Sequence, residues 1–378
     1  MKMRLLALAG VLSLATASFA QGWADNFDTY ANGTNMHGTG GWVGWDNTAG
    51  ATGFVTNAQA HSGANSVAIT NTSDLTRPYT TVNGGYWRYR TRVYIPSSAG
   101  STGFTYFILL NNYNPASPTT HSWSAQLKFD LAANTVDDDL YNPTQPPIFP
   151  AQPYNRDAWN SIVCDADMVN NATFQYINGL PLTDDGTFVR QWRPDTTADP
   201  NALDSLQGVD LYGDTIGGTC YYDTMSVNHV MAAEAYNITS GTFFGGDLAS
   251  LQGSDDNVLF ILNEESAPNT QVVMTSNETI ITGTLSYLQI TGEFASTRSD
   301  LSVSLRAKNW NTNQFVAVGA PVTSTTTDQF LTVSTTNASN FKSVGGVIET
   351  ALYAFPQEDL IAEDGWQVNI DWWQIETR

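Results

Sequence analysis

Short stretches rich in Val, Ile, Thr, Tyr, Phe and Trp recur along this chain, each closed off by Gly, Asn, Asp, Ser or Pro, and few segments carry the period of an amphipathic helix. Such runs predict strands. The clearest spans residues 86–95, where alternation sends Tyr86, Arg88, Arg90, Arg92 and Tyr94 to one face and Trp87, Tyr89, Thr91, Val93 and Ile95 to the other. Comparable runs lie near 66–70, 104–110, 123–130, 159–166, 173–177 and 220–227, and then near 258–262, 271–275, 284–291, 301–307, 330–334, 347–354 and 366–375. Each group is enough for a two-sheet sandwich, so the chain is expected to be all-β, with two consecutive antiparallel β-sandwich (jelly-roll) domains.

A second signal places the boundary between them. The chain holds nine glutamates, all from Glu234 to Glu376, whereas aspartates are spread throughout. Residues 1–20, with Lys2 and Arg4 ahead of an apolar run and Ser18-Phe19-Ala20 at its end, read as a secretory signal peptide. The expected organisation is therefore a signal peptide at 1–20, a sandwich at 21–232 and an accessory sandwich at 233–378. Export to the periplasm, cell surface or medium follows, with no membrane span. Without the signal, 13 basic residues face 36 acidic ones, a formal charge of −23 that argues against a nucleic-acid partner.

Several short motifs resemble bacterial concanavalin A-like (laminin G-like) jelly rolls over residues 23–230. They are Phe27-Asp28-Thr29-Tyr30 with Gly41-Trp42 after it, Ala60-His61-Ser62-Gly63-Ala64-Asn65-Ser66-Val67, the segments 87–96 and 159–167, and Tyr221-Tyr222-Asp223. That resemblance implies a lectin or glucanase type of fold. Glucan hydrolases of the group carry a Glu-x-Asp-x-x-Glu strand, and the absence of glutamate before residue 234 rules it out of the first domain. The Gln-Ile-His signature of jelly-roll polysaccharide lyases is also missing, and His37, His61, His121 and His229 are scattered. Binding is expected rather than cleavage, with a lyase or glycosidase using Asp, Tyr or Arg as one alternative and a structural or adhesive surface protein as the other.

The candidate ligand face follows from the 86–95 strand. Three of the eleven arginines stand on alternate positions between tyrosines, and Gln126 and Lys128 share a face of another strand. Arginine forks beside aromatic rings suit carboxylated or sulfated sugars. The competing reading is that these arginines pair with aspartates such as Asp130 or Asp137, Asp138 and Asp139. Trp42, Trp45 and Trp123 are candidates for stacking on a sugar ring, Trp45 first because it lies beside Asp46 and Asn47 in a Gly-rich stretch. The expected partner is thus an extracellular polysaccharide or glycan.

By the same resemblance, Asp28 and Asp223 mark a structural calcium between the terminal strands, completed by backbone carbonyls around 61–65. Strand-end aspartates that cap a turn are the alternative. The only two cysteines, Cys164 and Cys220, fall in predicted strands of an exported chain and are expected to form a disulfide, with two buried free thiols as the alternative. The second domain resembles an accessory jelly roll through Gly245-Gly246-Asp247-Leu248 and its final strand. Its acidic stretches, Glu264-Glu265 and 358–364, read as solvated loops.

Overall fold

The computed structural model describes residues 22–117, 119–139, 151–182, 190–194, 199–254, 256–263, 269–276, 283–357 and 365–378. The signal segment, Glu264-Glu265 and 358–364 lie outside them. The described residues are all-β, and their helical content is single turns such as Trp45–Asn47 and Ser97–Ala99. No described helix is long and apolar enough to cross a membrane. The strands form a thirteen-stranded, a seven-stranded and a six-stranded sheet, with every pairing antiparallel.

The sandwich around the first core is built as the periodicity predicts. In the Tyr86–Tyr94 strand the burial alternates without a break, with Trp87, Tyr89, Thr91 and Val93 inside. These side chains meet Phe107 and Leu109 of the Phe104–Asn112 strand, which belongs to the opposite, seven-stranded sheet. Trp42, Trp87, Trp192 and Tyr222 are fully buried in the same cluster, so Trp42 is core and not a sugar platform. A second buried cluster runs from Met231 to Ile375 around Leu288, Phe294, Leu305, Trp366 and Trp373.

The two halves meet in one sheet. The Thr219–Ala232 strand leaves the first cluster and pairs directly with the last strand, Gln367–Thr377, in the register His229↔Thr377 to Ala232↔Gln374. One sheet therefore runs through both clusters. Side chains lock this seam. Arg88 donates from Nε and Nη2 to Asp165 at 2.6 and 2.7 Å and from Nη1 to Glu376 at 3.1 Å, while Arg90 donates to both Glu376 oxygens. Asn228 adds a bond to Glu376 at 3.1 Å. Glu376 is 1% exposed, and burial alone would raise its pKa. The Arg90 and Arg88 guanidiniums and the Asn228 amide more than offset that burial and hold it below the usual range.

The disulfide expectation is corrected here. Cys164 and Cys220 are buried free thiols. The strands that carry them, Trp159–Asp167 and Thr219–Ala232, flank the Tyr86–Tyr94 strand on opposite sides. Cys164 sits opposite Tyr89, whereas Cys220 lies one residue beyond the Tyr221↔Tyr94 pair. Two strand spacings across and some six residues along put the sulfurs roughly 20 Å apart, far outside bonding geometry. Burial pushes the Cys220 thiol up to about 12.

Two outcomes follow. Glu376→Ala leaves two arginines facing each other over a buried gap and should cost about 3–5 kcal/mol at neutral pH. Because the Glu376 pKa is depressed, its stabilisation is present above the unfolded carboxylate pKa and lost as pH falls through the folded value, so the gap to wild type in chemical denaturation should close in acid. Melting curves of the protein with and without a reducing agent should superimpose, and a fall of several degrees on reduction would restore the disulfide.

Candidate functional site

The candidate ligand residues divide between two outward faces that point away from each other. Tyr86, Arg88, Arg90, Arg92 and Tyr94 lie on the long sheet, whereas Trp45, Gln126 and Lys128 lie on the seven-stranded one. The arginine face is mostly spent. Arg88 and Arg90 are engaged by Asp165 and Glu376, neither of which is among the aspartates the sequence offered as partners. Among the described residues Arg92 makes no ion pair, and beside it Tyr94 packs between Trp159 and Tyr221 at 5.5 and 6.1 Å.

The seven-stranded sheet carries an aromatic outward face. Along the Phe104–Asn112 strand Thr105, Phe107 and Leu109 turn inward, leaving Phe104, Tyr106, Ile108 and Leu110 outside. The neighbouring Ser205–Tyr212 strand places Tyr212 opposite Tyr106, and the two rings stack at 5.8 Å and 21°. On the other side Gln126 pairs with Ile108, Lys128 with Tyr106 and Trp123 with Leu110. Lys128 lies 4.7 Å above the Phe104 ring and donates to Asp139 at 2.9 Å, so its charge is already matched.

A tight turn brings the remaining aromatics onto this face. Asp46 and Asn47 adopt φ of 50° and 61°, the left-handed region that Asp and Asn tolerate best among side-chain-bearing residues. Trp45 is thereby laid on Trp123 at 6.1 Å and 15°, and against Tyr113 at 5.1 Å and His121 at 4.8 Å. Both tryptophans remain half-buried, so part of each ring is open to solvent. His121 Nε2 meets Asp46 Oδ1 at 2.6 Å, and the Asp46 N–H donates to the Tyr113 hydroxyl at 3.3 Å. Burial pushes the Tyr113 phenol up to about 12.

Asp74 and Asp210, on the adjacent Asp74–Asn83 and Ser205–Tyr212 strands, complete the face. Their carboxyls lie against each other as diagonal neighbours, and each has a buried Oδ1 with no hydrogen-bond partner among the described residues. Two carboxylates cannot share that contact unless one holds a proton. Burial first, then the neighbouring Asp74 charge, pushes Asp210 well above the usual range, and burial likewise raises Asp74.

Sequence reasoning missed this pair because neither strand is among those predicted from the sequence. The Asp74–Asn83 strand contains Arg77 and Pro78, and Pro78 is tolerated because among the described residues the outer neighbour of this strand is the two-residue Val43–Gly44 strand, which pairs with Leu75 and Thr76. The Ser205–Tyr212 strand carries Gly208 and Asp210. The signal that was present lies in residues 104–110, a nearly continuous apolar run of the kind found in a strand with neighbours on both sides.

Asp28 and Asp223, the residues of the calcium expectation, both hold the 61–65 loop. Asp28 accepts the N–H groups of Ala64 and Asn65 at 2.7 and 3.0 Å, and Asp223 accepts those of His61 and Ser62 at 2.7 and 2.9 Å. Gly63 lets the loop close over Asp28, since a Cβ there would lie 1.8 Å from Asp28 Oδ2. Both carboxylates thus cap the 61–65 loop through N–H donors, the turn-capping role that stood as the alternative to calcium. Among the described residues no group of three or more His, Cys, Asp or Glu side chains is placed to hold a metal.

The carboxyl pair gives a pH prediction. Raised folded-state pKa values mean that the folded protein keeps a proton the unfolded chain releases. Stability is then full below the unfolded aspartate pKa and falls as pH rises through the folded values. Asp210→Asn, which supplies a permanent donor to Asp74, should raise the melting temperature at pH 7 to 8 and leave it nearly unchanged near pH 3.

No family model and no curated protein matches this chain. Among solved structures the chain is similar to a protein titled cellulose induced protein, at 14% identity and a TM-score of 0.34 over 54% of this chain and 96% of that one. It is also similar to the tandem CBM22 domain of Paenibacillus barcinonensis Xyn10C, at 10% identity and a TM-score of 0.29 over 96% and 99%. A Caenorhabditis elegans galectin matches at 13% identity and a TM-score of 0.28 over 43% and 96%. Superpositions this loose say nothing about a ligand, and the fold rests on the sheets described above.

Proposed function

We propose that this is an exported, non-catalytic carbohydrate-binding protein that holds a neutral polysaccharide on the outward face of its seven-stranded sheet. The observation that carries this reading is the pair of stacked aromatic couples, Trp45 with Trp123 and Tyr106 with Tyr212, on a sheet face that also presents carboxyl and amide groups. Flat rings stack on the C–H faces of sugars, and carboxyl and amide oxygens accept sugar hydroxyls. An anionic sugar fits less well. Asp46, Asp74, Asp130, Asp139 and Asp210 line this side, Lys128 is matched by Asp139, and two of the three arginines that suggested an acidic ligand, Arg88 and Arg90, are tied up on the opposite sheet.

The carboxyl geometry supports binding without cleavage. The two carboxyls of a glycosidase stand about 5–5.5 Å apart in retaining enzymes and about 6.5–9.5 Å apart in inverting ones. The Asp74 and Asp210 carboxyls lie against each other, too close to hold a glycosidic bond between them.

Binding of residues 21–378 to a panel of neutral, uronate and sulfated polysaccharides tests the reading. Retention on a neutral polymer without release of product is expected, and Trp123→Ala should weaken it at least tenfold, about 1.4 kcal/mol. Retention on acidic polymers alone, unchanged affinity in the variant, or no retention anywhere would overturn it.

A further inference from the structure

The outward face of the long sheet crosses the seam between the two buried clusters, and a cleft of about 650 Å³ opens there. That is the size of a small-ligand site. Its lining comes from both halves: Phe174 and Tyr176 from the Ala172–Ile177 strand, Arg88 and Asp165 from the middle, and Trp372 and Gln374 from the last strand. Phe174 and Trp372 are half-buried, so each ring keeps an open part. Four strand spacings across and some six residues along the strands separate them, roughly 28 Å, which suits an elongated ligand laid obliquely over the sheet.

Charge and hydrogen bonding narrow the ligand class. Two guanidiniums, Arg88 and Arg90, meet two carboxylates, Asp165 and Glu376, so the network beneath the cleft is neutral overall. Amide groups around it are only half used. Gln374 accepts from Arg88 through Oε1, Gln252 donates to Ala233 through Nε2, and Asn170 donates to Asp167 through Nδ2. No bond to the opposite amide atom of any of the three is made among the described residues. Well-spaced aromatic rings with spare amide donors and acceptors between them match the alternating C–H faces and hydroxyls of a sugar chain.

We propose that the seam cleft is a second saccharide site, taking a neutral oligosaccharide laid across the strands, with Phe174 and Trp372 as stacking surfaces and Gln374, Gln252 and Asn170 as hydroxyl partners. It is independent of the aromatic face of the other sheet, and it exists only because the two halves share a sheet.

Isothermal titration of the full chain with β-1,4-linked hexasaccharides of glucose, xylose and mannose tests it. Two sites per chain are expected for at least one probe. Trp372→Ala should remove one and Trp123→Ala the other, each with at least a tenfold loss. Phe174→Ala should reproduce the Trp372→Ala loss from the other half of the cleft, which guards against a folding defect, as does an unchanged melting temperature. A single site abolished by Trp123→Ala and untouched by Trp372→Ala and Phe174→Ala would overturn the seam site while leaving the proposed function standing. A single site lost only in the seam variants would sustain the cleft and remove the aromatic face. No binding to any of the three probes would overturn both.

Discussion

Glu376 is the group on which the arrangement of this molecule depends. Its carboxylate is almost wholly buried and is held by Arg88, Arg90 and Asn228, all from the first half of the chain. A lone buried carboxylate would cost several kcal/mol, and so would a desolvated pair of arginines two positions apart on one strand. Each makes the other tolerable. The backbone bonds of the His229↔Thr377 seam bring the groups to one place, and the ion network makes any other register between the halves costly. The second half is thus a continuation of the first half's sheet, and one sheet face of the first half is taken up in building that joint.

This explains how an arginine ladder in a strongly acidic chain became misleading. Alternation along residues 86–94 correctly gave the face of each side chain, since that is a local property of an extended backbone. The partner of Arg90 lies 286 residues away, and no local pattern points to it. The glutamate break is informative in the same way. It marks where the composition changes, and its last member turns out to be the counter-ion that crosses the change.

Other parts were legible to different degrees. The long Val, Ile, Tyr and Trp runs became strands within a residue or two at most ends, and the 66–70 strand matches at both. The Thr284–Thr291 reading was shifted, since the strand is Leu288–Ser296. Strands carrying Pro78, Gly208, Asp74 and Asp210 were invisible because their composition is that of a loop, and their extended form is imposed by neighbours on the sheet. With them went the carboxyl pair and half of the aromatic face. The cysteines failed for a geometric reason, since two strands on opposite sides of a third never touch.

Once the arginine side is committed to the joint, the seven-stranded sheet is left with stacked tryptophans and tyrosines and a paired lysine on its outer surface. Hydrogen–deuterium exchange of the full chain with and without a saturating neutral hexasaccharide tests that account most directly. The account predicts slowed exchange in the peptides around Trp45–Asn47 and residues 113–123. Unchanged exchange there under saturation would contradict it.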